Sequence, residues 1–482
     1  MSANDMLEIY RGTAVLLTVL LLPSSVGARQ AVLSPAVREF VQIDERVVAL
    51  THVRLIDGTG RPAQADQTVI IRDGVIGAVG SAGSVAVPEG AVVLDLTGKS
   101  VIPGLVMLHE HFFYPAGQSA YNQQEFSFPR LYLAGGATTV RTGGSRDPYG
   151  DLNLKRAIDA GRVPGPTIYV TGPYLNGPGL PILFVNALEG PADARRMVAY
   201  WSDEGVSSFK AYMHISREEL GAAIDEAHAR GHKVTGHLCS VTYREAADLG
   251  IDNLEHGLFA STDFVAAKEP DVCPSGAERG NALFQLDLHG PAAQDLISHL
   301  VDRGVALTST LPVFEISTAG RPRAPDGALN AMSPDARDRY LRTWSRIQEQ
   351  DSTRAVLLRK GMEFERLFAE AGGLLVAGID PTGYGGVVPG YANHREVELL
   401  VEAGFTPEEA IMVSTYNGAV YLGIDDRVGT VAVGKVADLV VIDGDPSTRI
   451  EDIRRMEIVF KGGIGYDSKR LFDSVRGTVG VR

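Results

Sequence analysis

His109 and His111 in LVMLHEHFF stand one residue apart at the end of an apolar run. Imidazoles at i and i+2 of a strand project to the same side, and neutral imidazole suits zinc. Alone, such a pair is weak evidence, being more often a packing or hydrogen-bonding feature than a metal site. Four further residues change its meaning: Lys210 in SSFKAYM, His237 in KVTGHLC, His256 in NLEHGLF and Asp380 in LLVAGIDPTG each close a short apolar run. His237 and His256 can converge on a second metal position beside the first. Asp380 can both ligate a metal and hold the proton of an attacking water. A bound dication lowers the pKa of water from about 15.7 to about 7, so the chemistry indicated is two-metal hydrolysis.

Lys210 is the least ordinary member. An ammonium beside two dications is strongly disfavoured, whereas a neutral amine that has taken up carbon dioxide becomes an anionic carbamate. Buried lysines have the depressed pKa that such chemistry needs. Taken by itself, a lysine here also fits a side chain that reaches solvent or pairs with an acid. Secondary candidates surround these six. Tyr212, two residues past Lys210, could hydrogen-bond a scissile carbonyl or pack in the barrel. His394 could contact a substrate carboxylate or cap the helix that follows it, and Arg141 and Arg146 are candidates for the same carboxylate. His228 and His232 flank a helix end. His52, His289 and His299 lie in segments remote from the six.

Positioning six residues spread over so much chain requires a repeated scaffold. VIPGLVMLH, ATTVRTG, TIYVTG, SSFKAYM, KVTGHL, DNLEHG, VALTSTL and LLVAGID read as strands, with helical patterns between them. Strands alternating with helices imply parallel βαβ units. Eight of them with polar residues at their C-terminal ends predict an α/β fold, a (β/α)8 TIM barrel over residues 105–424. A doubly wound open sheet is the alternative, which the ligand pattern opposes. In SREELGAAIDEAHARG, Ser216 and Glu219 form a capping box and Gly231 follows the last turn. Long connections at about 259–298 and 312–351 follow strand ends and would rise over the active face as lids or specificity elements.

The two ends have a different texture. VVALTHVRLIDGTG, TVIIRDGVIGAVG and AVVLDLTG near the start, and GTVAVGKVADLVVIDGDP with MEIVFKGGIGYD near the finish, are short strands with tight turns. They predict a small β-sandwich built from 45–104 and 425–482, with 29–44 as a lead-in. Residues 1–28 read as a secretory signal: Arg11, the apolar run TAVLLTVLLL, then small residues through Ala28. That run is too short to span a bilayer, so a secreted or periplasmic location is expected, without stable membrane association once the signal is removed; an uncleaved anchor is the alternative. The 482-residue chain carries a net charge of −14 with no basic block, which argues against nucleic acid as a partner. Cys239 and Cys273 could pair in an oxidising compartment or remain as thiols, and spacing does not decide.

The stretches GKSVIPGLVMLHEH, GGATTVRTGG, SSFKAYM, EAHARGHKVTGHL, GIDNLEHG, VAGIDP, HREVELLVEAGFTPEEAI, STYNGAVYLG and VGTVAVGKVADLVVIDGDP run in order from about Ile56 to Asp445. Together they resemble the amidohydrolase superfamily, and within it the imidazolonepropionase/prolidase-like branch with a carboxylated lysine. The resemblance implies a binuclear, usually zinc, hydrolase with a bridging hydroxide. His109, His111 and Asp380 would hold one ion, His237 and His256 the other, and carboxylated Lys210 would bridge them. Asp380 would take the proton of the water and pass it to the leaving amine. Glu110 between the first histidines and Cys239 after His237 depart from the branch. The expected substrate is a dipeptide or N-acyl amino acid, with a cyclic amide, lactone or phosphotriester as the alternative and a non-catalytic binding scaffold as a remote one. The resemblance also suggests a homo-oligomer.

Overall fold

The computed structural model describes residues 32–117, 120–180 and 185–481; the expected secretory signal at 1–28 lies outside them. Eight parallel staves form the barrel. They are β1 (Leu105–Glu110), β2 (Ala137–Thr142), β3 (Thr167–Tyr169 continued by Thr171–Leu175), β4 (Ser208–Ala211), β5 (Lys233–Gly236), β6 (Asn253–Glu255), β7 (Ala306–Ser309) and β8 (Leu375–Ala377). β1, β2 and the first half of β3 pair in parallel, and the second half of β3 begins the parallel run through β8. No regular ladder joins β8 to β1. The circuit closes instead where the backbone N–H groups of Ile379 and Asp380 donate to His109 O at 3.2 and 3.0 Å. That junction places Asp380 beside the histidine pair.

Every residue of β1, β2, β4, β6, β7 and β8 is buried, as staves packed between a filled interior and an outer helical layer must be. The helices keep their predicted punctuation: Ser216 and Glu219 cap Arg217–Ala229 reciprocally. The long connection after β7 is mostly helical, with Pro334–Ile347 and Thr353–Glu370 as its principal elements.

Both chain ends meet in one nine-stranded sheet. Val47–Leu55 pairs with Gln64–Arg72 on one side and with Val92–Asp95 and Ser100–Pro103 on the other. Ser100–Pro103 then pairs with Leu439–Ile442 from the far end of the chain. Val48, Leu50, Val69, Ile71, Val101, Leu439, Val441 and Phe460 share one apolar core, which makes this the sandwich domain. The lead-in joins it, since Val41–Ile43 pairs with Ile464–Asp467. Residues 468–481 turn back onto the barrel, where Ser333 N donates to Val479 O.

Candidate metal centre and catalytic pocket

The C-terminal ends of the staves enclose a pocket of about 120 Å³ walled by His109, His111, Lys210, His237, His256 and Asp380. Residues at the ends of four staves (β1, β4, β5 and β6) and in the loop after β8 are thus brought to one point. His109 and His256 ring centroids lie 4.6 Å apart and those of His237 and His256 4.5 Å apart. Asp380 Oδ1 is 3.4 Å from His111 Nε2 and 3.9 Å from His109 Nε2. Ligand atoms of His109, His111 and Asp380 all fall within 4.8 Å of one another, a separation that a single ion can span. Tyr212 stands in the same wall, its ring 5.0 Å from that of His237. Burial pushes its phenol up, so it is a hydrogen-bond donor at neutral pH.

Hydrogen bonds from below aim these imidazoles. His109 Nδ1 lies 2.7 Å from Glu255 Oε2, and His111 Nδ1 lies 3.1 Å from Gly144 O. Both partners only accept, so each Nδ1 carries the proton and each Nε2 lone pair faces the pocket. His256 Nδ1 rests 2.8 Å from Thr310 Oγ1. The glycines of GGATTVRTGG serve this packing: a Cβ on Gly143 would sit 2.5 Å from the His109 ring. His256 and Asp380 adopt left-handed backbone, with φ of 69° and 49°. For residues other than glycine that conformation costs of order 1–3 kcal/mol and is concentrated at functional sites.

The electrostatics favour metal ligation. Burial, followed by the Lys210 charge, lowers His109 to about 4. Burial, followed by His109, lowers His256 to about 3, and burial takes His237 well below its ordinary value. All three imidazoles are therefore neutral donors near pH 7. Burial alone would raise Asp380, but His109 and His256 beside it take up protons before it does and lower it below the carboxylate range, so near pH 7 the carboxylate is ionised while those imidazoles are neutral. Burial lowers Lys210 to about 8, leaving a useful fraction of neutral amine. Two polar atoms here, Lys210 Nζ and Asp380 Oδ1, are buried without a hydrogen-bond partner among the described residues. Buried polar groups are normally satisfied, and a cation facing neutral imidazoles, a carboxylate and a reactive amine would satisfy both. The residues present fit divalent metal ions.

Several residues are placed differently from expectation. Arg141 is not a substrate-binding residue: it is 1% exposed in the barrel interior, where Nε donates to Leu108 O and Nη2 to Glu255 Oε1, both at 2.7 Å. His394 does not reach the pocket. It lies on Tyr391–Glu402, whose buried face turns toward the sandwich, and its Nε2 is 3.2 Å from Met456 Sδ. There it lines a separate cavity of about 1190 Å³. Arg146 does line the catalytic pocket, with its guanidinium 4.9 Å from the Tyr121 ring centroid. Glu255 is the residue the sequence left unread. It contacts His109 and Arg141, accepts from Thr235 Oγ1 at 2.5 Å and lies 3.5 Å from Lys210 Nζ. Its position next to His256 in LEHG was the only available clue. Cys239 and Cys273 form a disulfide with Cα atoms 4.8 Å apart, pinning the connection after β6 to the residue two beyond His237.

The model of the amidohydrolase family matches residues 100–464, and the chain belongs to that family. It is a hydrolase acting on carbon–nitrogen bonds, with a His-His-Asp group that could hold a metal ion. It is 26% identical to an imidazolonepropionase from Micrococcus luteus over 82% of this chain and 92% of that one. It is 23% identical to an enamidase from Eubacterium barkeri over 81% and 84%. Among solved structures it is similar to a candidate prolidase from Bifidobacterium longum, with 28% identity, a TM-score of 0.61 and coverage of 89% of this chain and 99% of that one.

Proposed function

We propose that this protein hydrolyses an amide bond in a dipeptide or N-acyl amino acid at a binuclear metal centre held by His109, His111, His237, His256, Asp380 and carboxylated Lys210. The observation that carries this reading is the convergence of all six side chains on one enclosed pocket. Two divalent ions there, zinc being the default for nitrogen and oxygen donors, would supply an activated water and a polarised carbonyl. The chain does the rest. Asp380, ionised near pH 7, accepts the proton of the water and returns it to the departing amine nitrogen. Tyr212 offers its O–H to the carbonyl oxygen as charge develops. Lys210 is the site of the carbamate, whose remaining N–H can face Glu255 Oε1, 3.5 Å from Nζ.

Export to an oxidising compartment belongs to the same proposal. The Cys239–Cys273 disulfide supports it, because such bonds persist outside the cytosol. Cyclic amides are the second reading, favoured because the two long curated matches are an imidazolonepropionase and an enamidase rather than peptidases.

The test is amine release from dipeptides, N-acyl amino acids and cyclic amides by protein supplied with zinc and bicarbonate, beside Asp380→Asn. Release from the linear substrates that needs Asp380 and is abolished by chelation establishes the reading. Release confined to cyclic amides transfers it to the second.

A further inference from the structure

Beside the catalytic pocket lies a second chamber of about 910 Å³. One wall is the helix Pro334–Ile347 in the connection after β7. It presents Arg339, Arg342 and Arg346, which at i, i+3 and i+7 share one helical face. The opposite wall is the hairpin Phe113–Gly117 with Ala120–Gln123, together with Tyr384. Tyr121 of that hairpin lines both chambers. On the catalytic side the Arg146 guanidinium rests against the same ring. The loop that carries Asp380 runs through Thr382, in the catalytic wall, into Gly383 and Tyr384, in the second. The two chambers therefore adjoin through a shared aromatic wall.

None of the three arginines makes an ion pair with a described residue, and Arg346 Nη2 donates only to Thr343 Oγ1 at 3.2 Å. Other helical arginines in the chain do find acids on their own helix, such as Arg196 with Asp193 and Arg366 with Glu370. Asp335 and Asp338 lie on the same helix, yet neither comes within pairing distance of the three. In a chain of net charge −14, three guanidinium groups left together on a concave surface repel one another and concentrate a positive potential there. An anionic guest relieves that repulsion through paired N–H donors. The volume is of the size that holds a small organic ligand, and the catalytic pocket alone is too small for more than the reacting centre.

Resting on the amide-hydrolase reading above, we propose that this chamber binds the part of the substrate remote from the scissile bond, and that this part carries one or more carboxylates. Arg339, Arg342 and Arg346 are its specificity-determining residues, and Tyr121 divides the anionic group from the reacting amide.

The test is a substrate series in Glu/Gln and Asp/Asn pairs at each position of the cleavable dipeptides and N-acyl peptides, with kcat/KM measured at low and high salt. The expected result is an acid-over-amide preference of at least about tenfold at one position, falling as salt rises. Arg342→Gln/Arg346→Gln should bring the ratio toward one, and Arg342→Glu/Arg346→Glu should make a substrate with Lys at that position better than its Glu counterpart, a reversal that a purely structural role would not produce. Equal rates for each pair, or a preference that survives the double substitution, overturns the proposal. If the metal-loaded wild type cleaves no amide, the functional reading has failed, and calorimetric titration with citrate decides the chamber separately. Citrate binding that the double Gln variant loses retains the anion site; no binding to wild type removes it.

Discussion

Glu255 and His109 meet at 2.7 Å across the barrel, so the residue preceding one candidate ligand in the chain orients a different one. The same carboxylate is held by Arg141 and Thr235. Burial would raise its pKa, but the Lys210 and Arg141 charges and the hydrogen bond from His109 outweigh this and keep Glu255 well below the carboxylate range. It is thus a permanent anion beneath the site.

Glu255→Gln keeps the size of that side chain but can turn an amide N–H toward His109 Nδ1, removing the acceptor that fixes the tautomer. Metal affinity should fall about 10- to 100-fold. Competition with a chromogenic chelator measures this, and unchanged affinity would dismiss the positioning role.

Asp380→Asn should leave the fold intact, because asparagine tolerates the left-handed conformation at φ 49°. The variant keeps an oxygen ligand but loses the proton acceptor, so kcat should drop by about 10²- to 10⁴-fold. Turnover within a few-fold of the parent would assign the proton transfer elsewhere.

The Cys239–Cys273 disulfide closes a loop of sequence separation 34, for which chain entropy gives about 4 kcal/mol of stabilisation. Denaturant unfolding of Cys239→Ser/Cys273→Ser should show a loss of that order. Because Cys239 follows His237 by two residues, metal retention should fall as well. Coincident unfolding curves for the two proteins would contradict this.

Glu365 is fully buried, and burial raises its carboxyl to about 8, with one oxygen accepting from Ser309 Oγ at 2.7 Å. The unfolded carboxyl loses its proton near pH 4.5, while the folded one keeps it to about 8. The folded state therefore binds more protons in that window, and stability contributed by Glu365 declines as pH rises through it. Tm should fall from pH 5 to pH 8 and the decline should flatten in Glu365→Gln. Parallel Tm profiles would show that another group governs the slope.

The barrel and its terminal sandwich were legible because burial imposes apolar runs on every stave and turn chemistry marks the end segments. Chain order and strand position also brought out the six pocket residues. What stayed hidden depends on depth and facing. His394 follows Asp380 closely, yet its helix turns that side chain toward Met456. Arg141 ends the right stave but points into the interior, where Glu255 neutralises it. The spacing of Arg339, Arg342 and Arg346 is readable as one helical face, whereas the hairpin opposite them is not, since no local pattern relates residues so far apart. The cysteine pairing likewise required three-dimensional proximity rather than spacing.

The sandwich sheet has a consequence for how the protein is made. Ser100–Pro103 pairs with Val47–Leu55 on one edge, but among the described residues its other edge is filled only by Leu439–Ile442, and Val41–Ile43 pairs only with Ile464–Asp467. On the ribosome, the early strands emerge with open edges and wait for nearly the whole chain to be translated before they can pair. Such edges invite pairing with other chains. Nascent protein should thus depend on holding factors until its last strands are released, and shortening the C-terminus should cause aggregation during synthesis even with every pocket residue in place.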